Sequence, residues 1–148
     1  MAVKAKPSDY NTVTPFLYVS NVARLLKFLK EAFGAEEKMQ HLAPDGAIMH
    51  AEVKIGDSMV MMSERSIHYP EMPSQLYLYV TDADEVYDEA LNAGGAAFRE
   101  PADQFYGDRS GAVIDPCGNI WWISTHIEDV SPAEMQRRME AMSQQPTA

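Results

Sequence analysis

Two apolar, β-rich stretches, Thr12 to Val19 and Gln75 to Val80, each run into a segment whose apolar positions fall on one helical face. In the first segment Val22, Leu25, Leu26, Leu29 and Phe33 recur at helical spacing behind Ser20 or Asn21 as cap. In the second, Val86, Ala90 and Leu91 follow Thr81 or Asp82. Gly34 and Gly94-Gly95 are the expected C-terminal stops, since glycine enters the left-handed conformation without a Cβ penalty. Three short strands follow each helix. Their turns are Pro44-Asp45-Gly46 and Gly56-Asp57 in the first half, and Tyr106-Gly107-Asp108 and Pro116-Cys117-Gly118-Asn119 in the second. Beyond them Ser131-Pro132-Ala133-Glu134 reads as an N-cap with proline at the first helical position, opening a last helix.

The two halves repeat in register. Leu17-Tyr18-Val19 recurs 61 residues later as Leu78-Tyr79-Val80, and the same offset carries Gly34-Ala35 onto Gly95-Ala96 and Gly46 onto Gly107. The pattern predicts one α+β domain over residues 11–142, with a βαβββ module at 12–64, a second at 74–127 and a helix at 131–142. Tyr69 to Ser74 is the linker between modules, and residues 1–10 and 143–148 are expected as flexible tails.

The chain has 148 residues, 46% of them hydrophobic, enough for a single buried core. Its formal net charge of −10 repels phosphate backbones and anionic headgroups, which argues against nucleic acid and membrane partners and for a small molecule or a protein. A lone Cys117 excludes an intrachain disulfide, and no signal-like or membrane-spanning stretch is evident, so a cytoplasmic protein is expected.

Alternation along the third strand puts His50 and Glu52 on one face with Ile48 and Lys54, and Met49, Ala51, Val53 and Ile55 on the core face. If the first face lines a cleft, His50 and Glu52 are the best acid–base pair in the chain; otherwise they are a polar strand face. Gln75, Tyr77 and Tyr79 share a face, and with Trp122 and Phe16 they form either an aromatic wall for a ligand or a packing seam. Arg109 either greets an anionic ligand or pairs with Asp108 or Asp115 to hold its turn. Cys117 lacks an activating partner, and His41, His68 and His126 show no metal-motif spacing. Met135, Met139 and Met142, at helical spacing near the C-terminus, read as a packing stripe against the domain or a dimer mate.

Thr12-Val13-Thr14-Pro15, Met49-His50-Ala51-Glu52, Ile55-Gly56-Asp57-Ser58, Tyr106-Gly107-Asp108-Arg109 and Asp115-Pro116-Cys117-Gly118-Asn119-Ile120-Trp121-Trp122 occur in that order. In these the chain resembles the vicinal oxygen chelate superfamily, the glyoxalase and bleomycin-resistance proteins, and within it the PhnB-like branch. The resemblance implies curved mixed sheets around a cleft, and homodimers. It does not choose a reaction, because lyases, isomerases, dioxygenases, epimerases and antibiotic-sequestering proteins share the fold. Metal-dependent members carry ligands at positions that fall here on Thr14, Met61, Gln75 and Trp122, none a good donor for a divalent ion.

These observations predict no catalytic metal or other cofactor. They predict a small organic ligand held by Thr14, Phe16, Met61, Gln75, Tyr77, Tyr79, Arg109 and Trp122. Two enzymatic alternatives stay open: acid–base chemistry by His50 and Glu52, or a metal held by a shifted set drawn from His50, Glu52, Gln75 and His126. A ligand-free dimeric scaffold is the remaining one.

Overall fold

The computed structural model describes residues 2–145; Met1 and residues 146–148, ends of the two expected tails, lie outside them. The first half comprises β1 (Phe16–Val19), α1 (Val22–Phe33), β2 (Glu36–Leu42), β3 (Ile48–Ile55) and β4 (Ser58–Glu64). The second comprises β5 (Gln75–Tyr79), α2 (Ala83–Asn92), β6 (Ala96–Asp103), β7 (Asp108–Ile114) and β8 (Ile120–His126), and α3 (Pro132–Ser143) closes the chain. Each half forms a four-stranded mixed sheet, ordered β1-β4-β3-β2 and β5-β8-β7-β6. In each, the first strand runs parallel to the last and the other pairs are antiparallel. The 61-residue repeat survives as register: Phe16 lies opposite Met61, and Tyr77 opposite Trp122.

The first strand starts later than the sequence pattern predicts. Pro15 has no N–H to give to the ladder, so regular pairing begins at Phe16, although the Pro15 carbonyl still accepts the Met61 amide at 2.9 Å. Thr14 therefore precedes the strand.

Period-two alternation sends Leu17, Val19, Ala51, Val53, Val60 and Met62 of the first sheet, and Val113, Trp121 and Ile123 of the second, toward the helices. There they meet Val22, Leu25, Phe28 and Leu29 of α1 and Ala83, Tyr87 and Ala90 of α2 in one shared core. Phe33 of α1 reaches Trp121, with ring centroids 5.2 Å apart, so the modules are packed through their helical sides. Each large side chain buried there contributes about 1.5–3 kcal/mol. Met49, expected in the core, is 44% exposed: the β2–β3 register shifts between His41, opposite His50, and Leu42, opposite Ile48, so Met49 is the extra residue and Ile48, expected on the His50 face, packs against the core instead.

The helix starts repeat as well. Asn21 caps α1 through Arg24 N (3.1 Å), and Glu64 at the end of β4 accepts the Asn21 and Val22 amides. Asp82 caps α2 through Glu85 N (3.1 Å), and Thr125, 61 residues beyond Glu64, accepts the Ala83 amide at 2.9 Å. The stripe expected on α3 is not a buried one: no residue of that helix is buried, and Met139 and Met142 are half-exposed. Arg138 ties the helix down by binding Glu128, Glu134 and the Phe105 carbonyl.

The second module's β7–β8 turn is built around the buried Asp115 carboxylate. Its Oδ1 accepts Cys117 N (2.7 Å) and Asn119 N (3.1 Å), and its Oδ2 accepts Asn119 Nδ2 (2.9 Å) and Trp121 Nε1 (2.8 Å). Removing the acceptor strands buried donors, among them the indole of a core residue. Asp115→Ala is expected to lower unfolding free energy by about 3 kcal/mol, measured by urea titration at unchanged slope; a loss under about 1 kcal/mol would show that the turn is held by other contacts.

Candidate functional site

On each sheet the face opposite the core carries the polar chemistry. In the first module β1 presents Phe16 and Tyr18, β4 presents Met61 and Ser63, β3 presents His50 and Glu52, and β2 presents Met39 and His41. Cross-strand register brings His50 opposite Ser63 and Glu52 opposite Met61. His50 Nδ1 lies 2.6 Å from Ser63 Oγ, and Nε2 lies 2.7 Å from Glu52 Oε2. An ionised carboxylate offers only lone pairs, so Nε2 carries the hydrogen; in the neutral ring Nδ1 then accepts the Ser63 hydroxyl. The other Glu52 oxygen accepts the hydroxyl of Tyr10.

Burial dominates the electrostatics here. It pushes the His50 imidazole below its ordinary 6.5, helped by nearby His41, and pushes the Glu52 carboxyl above 4.5. His50 is thus held neutral, able to accept a proton at Nδ1 only through Ser63, while Glu52 is the group available to bind or take a proton from a ligand. A cavity of about 610 Å³ adjoins Glu52, lined by Met61, Thr14, Pro7 and Tyr10.

The second module gathers a different set around Asp108, which is buried at the start of β7. Tyr77 and Tyr79 donate to its Oδ2 at 2.7 and 2.9 Å, and His126 Nδ1 donates to its Oδ1 at 2.9 Å. His126 Nε2 lies 2.7 Å from Asp129, so both ring nitrogens face carboxylates. These hydrogen bonds, first the one to Asp108 and then the one to Asp129, raise His126 above 6.5. Burial alone would raise Asp108, but His126 and the two tyrosines overcome it and hold the carboxyl below 3.8. Burial pushes the Tyr77 hydroxyl upward, so it stays a donor. Gly107 sets up this turn at φ +98°, where a Cβ would run into the Glu128 carbonyl.

The structure separates some of the residues that the sequence grouped. Thr14, Glu52 and Met61 share the smaller cavity, whereas Phe16, Gln75, Tyr77 and Tyr79 line a second cavity of about 1250 Å³ between the edges of β1 and β5. Trp122 stands beside it, its Nε1 donating to Gln75 Oε1 at 3.0 Å and its ring edge-on to Phe98. Arg109 lines neither cavity; Asp84 grips its guanidinium twice, at 2.7 and 3.0 Å, and Asp103 once at 3.0 Å. The Asp108 or Asp115 pairing weighed for it is not formed, because Asp108 is taken by tyrosines and His126, and Asp115 by its own turn. Cys117 points at the Ser20 carbonyl, and burial pushes its thiol up to about 11.

Tyr10, Ser63 and Asp108 are the functional-face residues that sequence reasoning did not place in a site, and His126 entered only as an alternative metal ligand. Ser63 and His126 become neighbours of His50 and Asp108 only through strand register. Tyr10 lies in a segment expected as a loose tail.

A metal fits poorly at the four positions where metal-dependent relatives carry ligands. The Gln75 oxygen is engaged by an indole, the Thr14 hydroxyl donates to Asn11 O at 3.3 Å, and a thioether and an indole complete the set. Among the described residues no three of His, Cys, Asp and Glu come together in a metal-holding group.

The chain belongs to the Glyoxalase/Bleomycin resistance protein/Dioxygenase superfamily, whose family model matches residues 10–123. It is 31% identical over 155 residues to an uncharacterized protein of Mycobacterium bovis, a match covering 95% of this chain and 97% of that one. TioX from Micromonospora sp. ML1 superposes with a TM-score of 0.68 at 24% identity, over 79% of this chain and 99% of that one. A glyoxalase/bleomycin resistance protein/dioxygenase family enzyme from Burkholderia phytofirmans PsJN does so at 0.65 and 16% identity, over 77% and 97%. At these identities the structural likeness shows the fold and no more.

The two histidines titrate in opposite senses. His50, depressed, adds stability above pH 6.5 that is lost as pH falls through its folded-state pKa; His126, raised, adds stability below 6.5 that is lost as pH rises through its own. Imidazole NMR during acidification from pH 8 should show His126 protonating first, and Asp108→Asn should bring it back toward 6.5. Protonation of His50 before His126 would contradict these assignments.

Proposed function

We propose that the protein binds a small organic molecule, planar and largely uncharged, in an aromatic and Met-lined cleft without a catalytic metal. The observation that carries this is the Trp122–Gln75 hydrogen bond: two positions that hold metal ligands in metal-dependent relatives here satisfy each other beside an open cavity. That cavity, about 1250 Å³, has Phe16, Tyr77 and Tyr79 on its rim, 44%, 43% and 65% exposed, while Met61 lines the neighbouring smaller cavity of about 610 Å³. The net charge of −10 disfavours anionic ligands.

The same exposed rim supports a homodimer in which a second copy closes the cleft, and the quoted motifs support a place in the PhnB-like branch. No helix among the described residues is long and apolar enough to cross a membrane, and with its half-buried free thiol the chain suits a reducing cytoplasm.

Protein purified without chelator or metal-affinity resin is expected to carry far less than one metal per chain, and flat aromatic ligands should quench a tryptophan signal that Trp122→Phe removes. About one metal per chain, released by Gln75→Ala, would overturn the proposal.

A further inference from the structure

The segment before β1 contains no helix or strand among residues 2–15, and most of it is exposed. Its ties are few: Lys6 Nζ donates to the Tyr10 carbonyl at 2.5 Å, Tyr10 N donates to Pro7 O at 3.2 Å, and Asp9 sits 3.8 Å from Lys54. One side chain nevertheless reaches deep into the first module's outer face, where the Tyr10 hydroxyl donates to Glu52 Oε1. Glu52 is 5% exposed, and its other oxygen is already held by His50.

That geometry restricts what can sit there. His50 is locked by Ser63 on its far nitrogen, so its Nε2–H cannot turn to serve a second acceptor without breaking two hydrogen bonds. The remaining Glu52 oxygen takes a donor; a second carboxylate or a carbonyl would face it lone pair to lone pair. Beside it a cavity of about 610 Å³ has Met61 and Thr14 on the sheet side and Lys6, Pro7 and Tyr10 itself on the strap side, so the apolar wall that stays when the strap leaves is Met61, which suits a ring rather than an alkyl alcohol exposed to water. Tyr10 supplies a ring and a hydroxyl donor, and it arrives on a strap that other contacts scarcely hold.

We infer that the Glu52–His50 pocket is a receptor for a neutral phenol, and that Tyr10 is its internal occupant, displaced when a phenol-bearing aromatic molecule enters. Ser63 is a positioning residue in this arrangement, fixing the tautomer that makes His50 a donor to Glu52. The strap lowers apparent affinity by the fraction of time Tyr10 fills the pocket, so ligand entry and release of residues 2–12 are coupled. This rests on the outer face binding an organic molecule without metal. That reading fails if the purified protein holds stoichiometric metal; the present inference is tested in metal-free protein and fails there if p-cresol does not compete with Tyr10.

The probe is p-cresol, a tyrosine side chain without its backbone, and toluene is the control that keeps the ring and lacks the hydroxyl. Calorimetric titration of the whole chain should give Tyr10→Ala a Kd for p-cresol about tenfold below that of the wild type, a gain that toluene does not share and that Tyr10→Ala combined with Glu52→Gln loses. Equal p-cresol affinity in wild type and Tyr10→Ala, or a gain that survives Glu52→Gln, would overturn the inference. A second measurement needs no variant: saturating p-cresol should accelerate amide hydrogen exchange at Tyr10 in the wild type, and unchanged exchange there counts against displacement.

Discussion

The contact of both sheets with a common pair of helices governs everything else in this molecule. Leu17, Val53 and Met62 on one sheet and Val113, Trp121 and Ile123 on the other are fully or almost fully buried against α1 and α2, and Phe33 links the two halves by touching Trp121. Because side chains alternate along a strand, committing one face to that core leaves the other face of each sheet for polar and aromatic residues. A one-residue slip in β3 would bury His50 and Glu52 among leucines and expose Ala51 and Val53, at a cost in desolvated charge that the fold could not bear. The core thus fixes where chemistry can occur before any functional residue is considered.

The two outer faces use that freedom differently. The first module keeps its histidine neutral and its carboxylate shared between His50 and the Tyr10 hydroxyl, with a cavity beside the oxygen that Tyr10 holds. The second surrounds Asp108 with three donors, which saturates the carboxylate and turns two tyrosines into a rigid wall. No described hydrogen bond or ring contact joins the two networks, so they are separate units in the single chain. In the proposed function the first is the place where a ligand exchanges with an internal donor, and the second is a preorganised surface for a ring.

Much of this was legible in the sequence because it depends on local rules. The 61-residue repeat, the helical stripe of Val22, Leu25, Leu26 and Leu29, the cap positions Asp82 and Ser131, and the grouping of His50 with Glu52 follow from periodicity and turn chemistry, and the structure has them. What was not legible depends on register or on long-range packing. Ser63 becomes the partner of His50 through the β3–β4 pairing, 13 residues away in sequence. Asp84, which grips Arg109 in place of the nearer Asp108 or Asp115, lies 25 residues from it at the start of α2. Tyr10 reads as tail by composition, and only its 42-residue reach to Glu52 gives it a place in the site. Exposure of Met49 likewise follows from the register shift between β2 and β3, which a hydrophobic pattern does not record.

The central claim is that ligand meets the outer face of the sheets and not the core between the first sheet and its helix. Methyl NMR of methionine-labelled protein separates the two directly, because Met61 and Met39 lie on the outer face whereas Met62 is fully buried on the helical face. Titration with an aromatic ligand should move the Met61 methyl resonance and leave that of Met62 in place. A shift of Met62 with Met61 unmoved would mean that ligand enters the core between sheet and helix and would contradict the account.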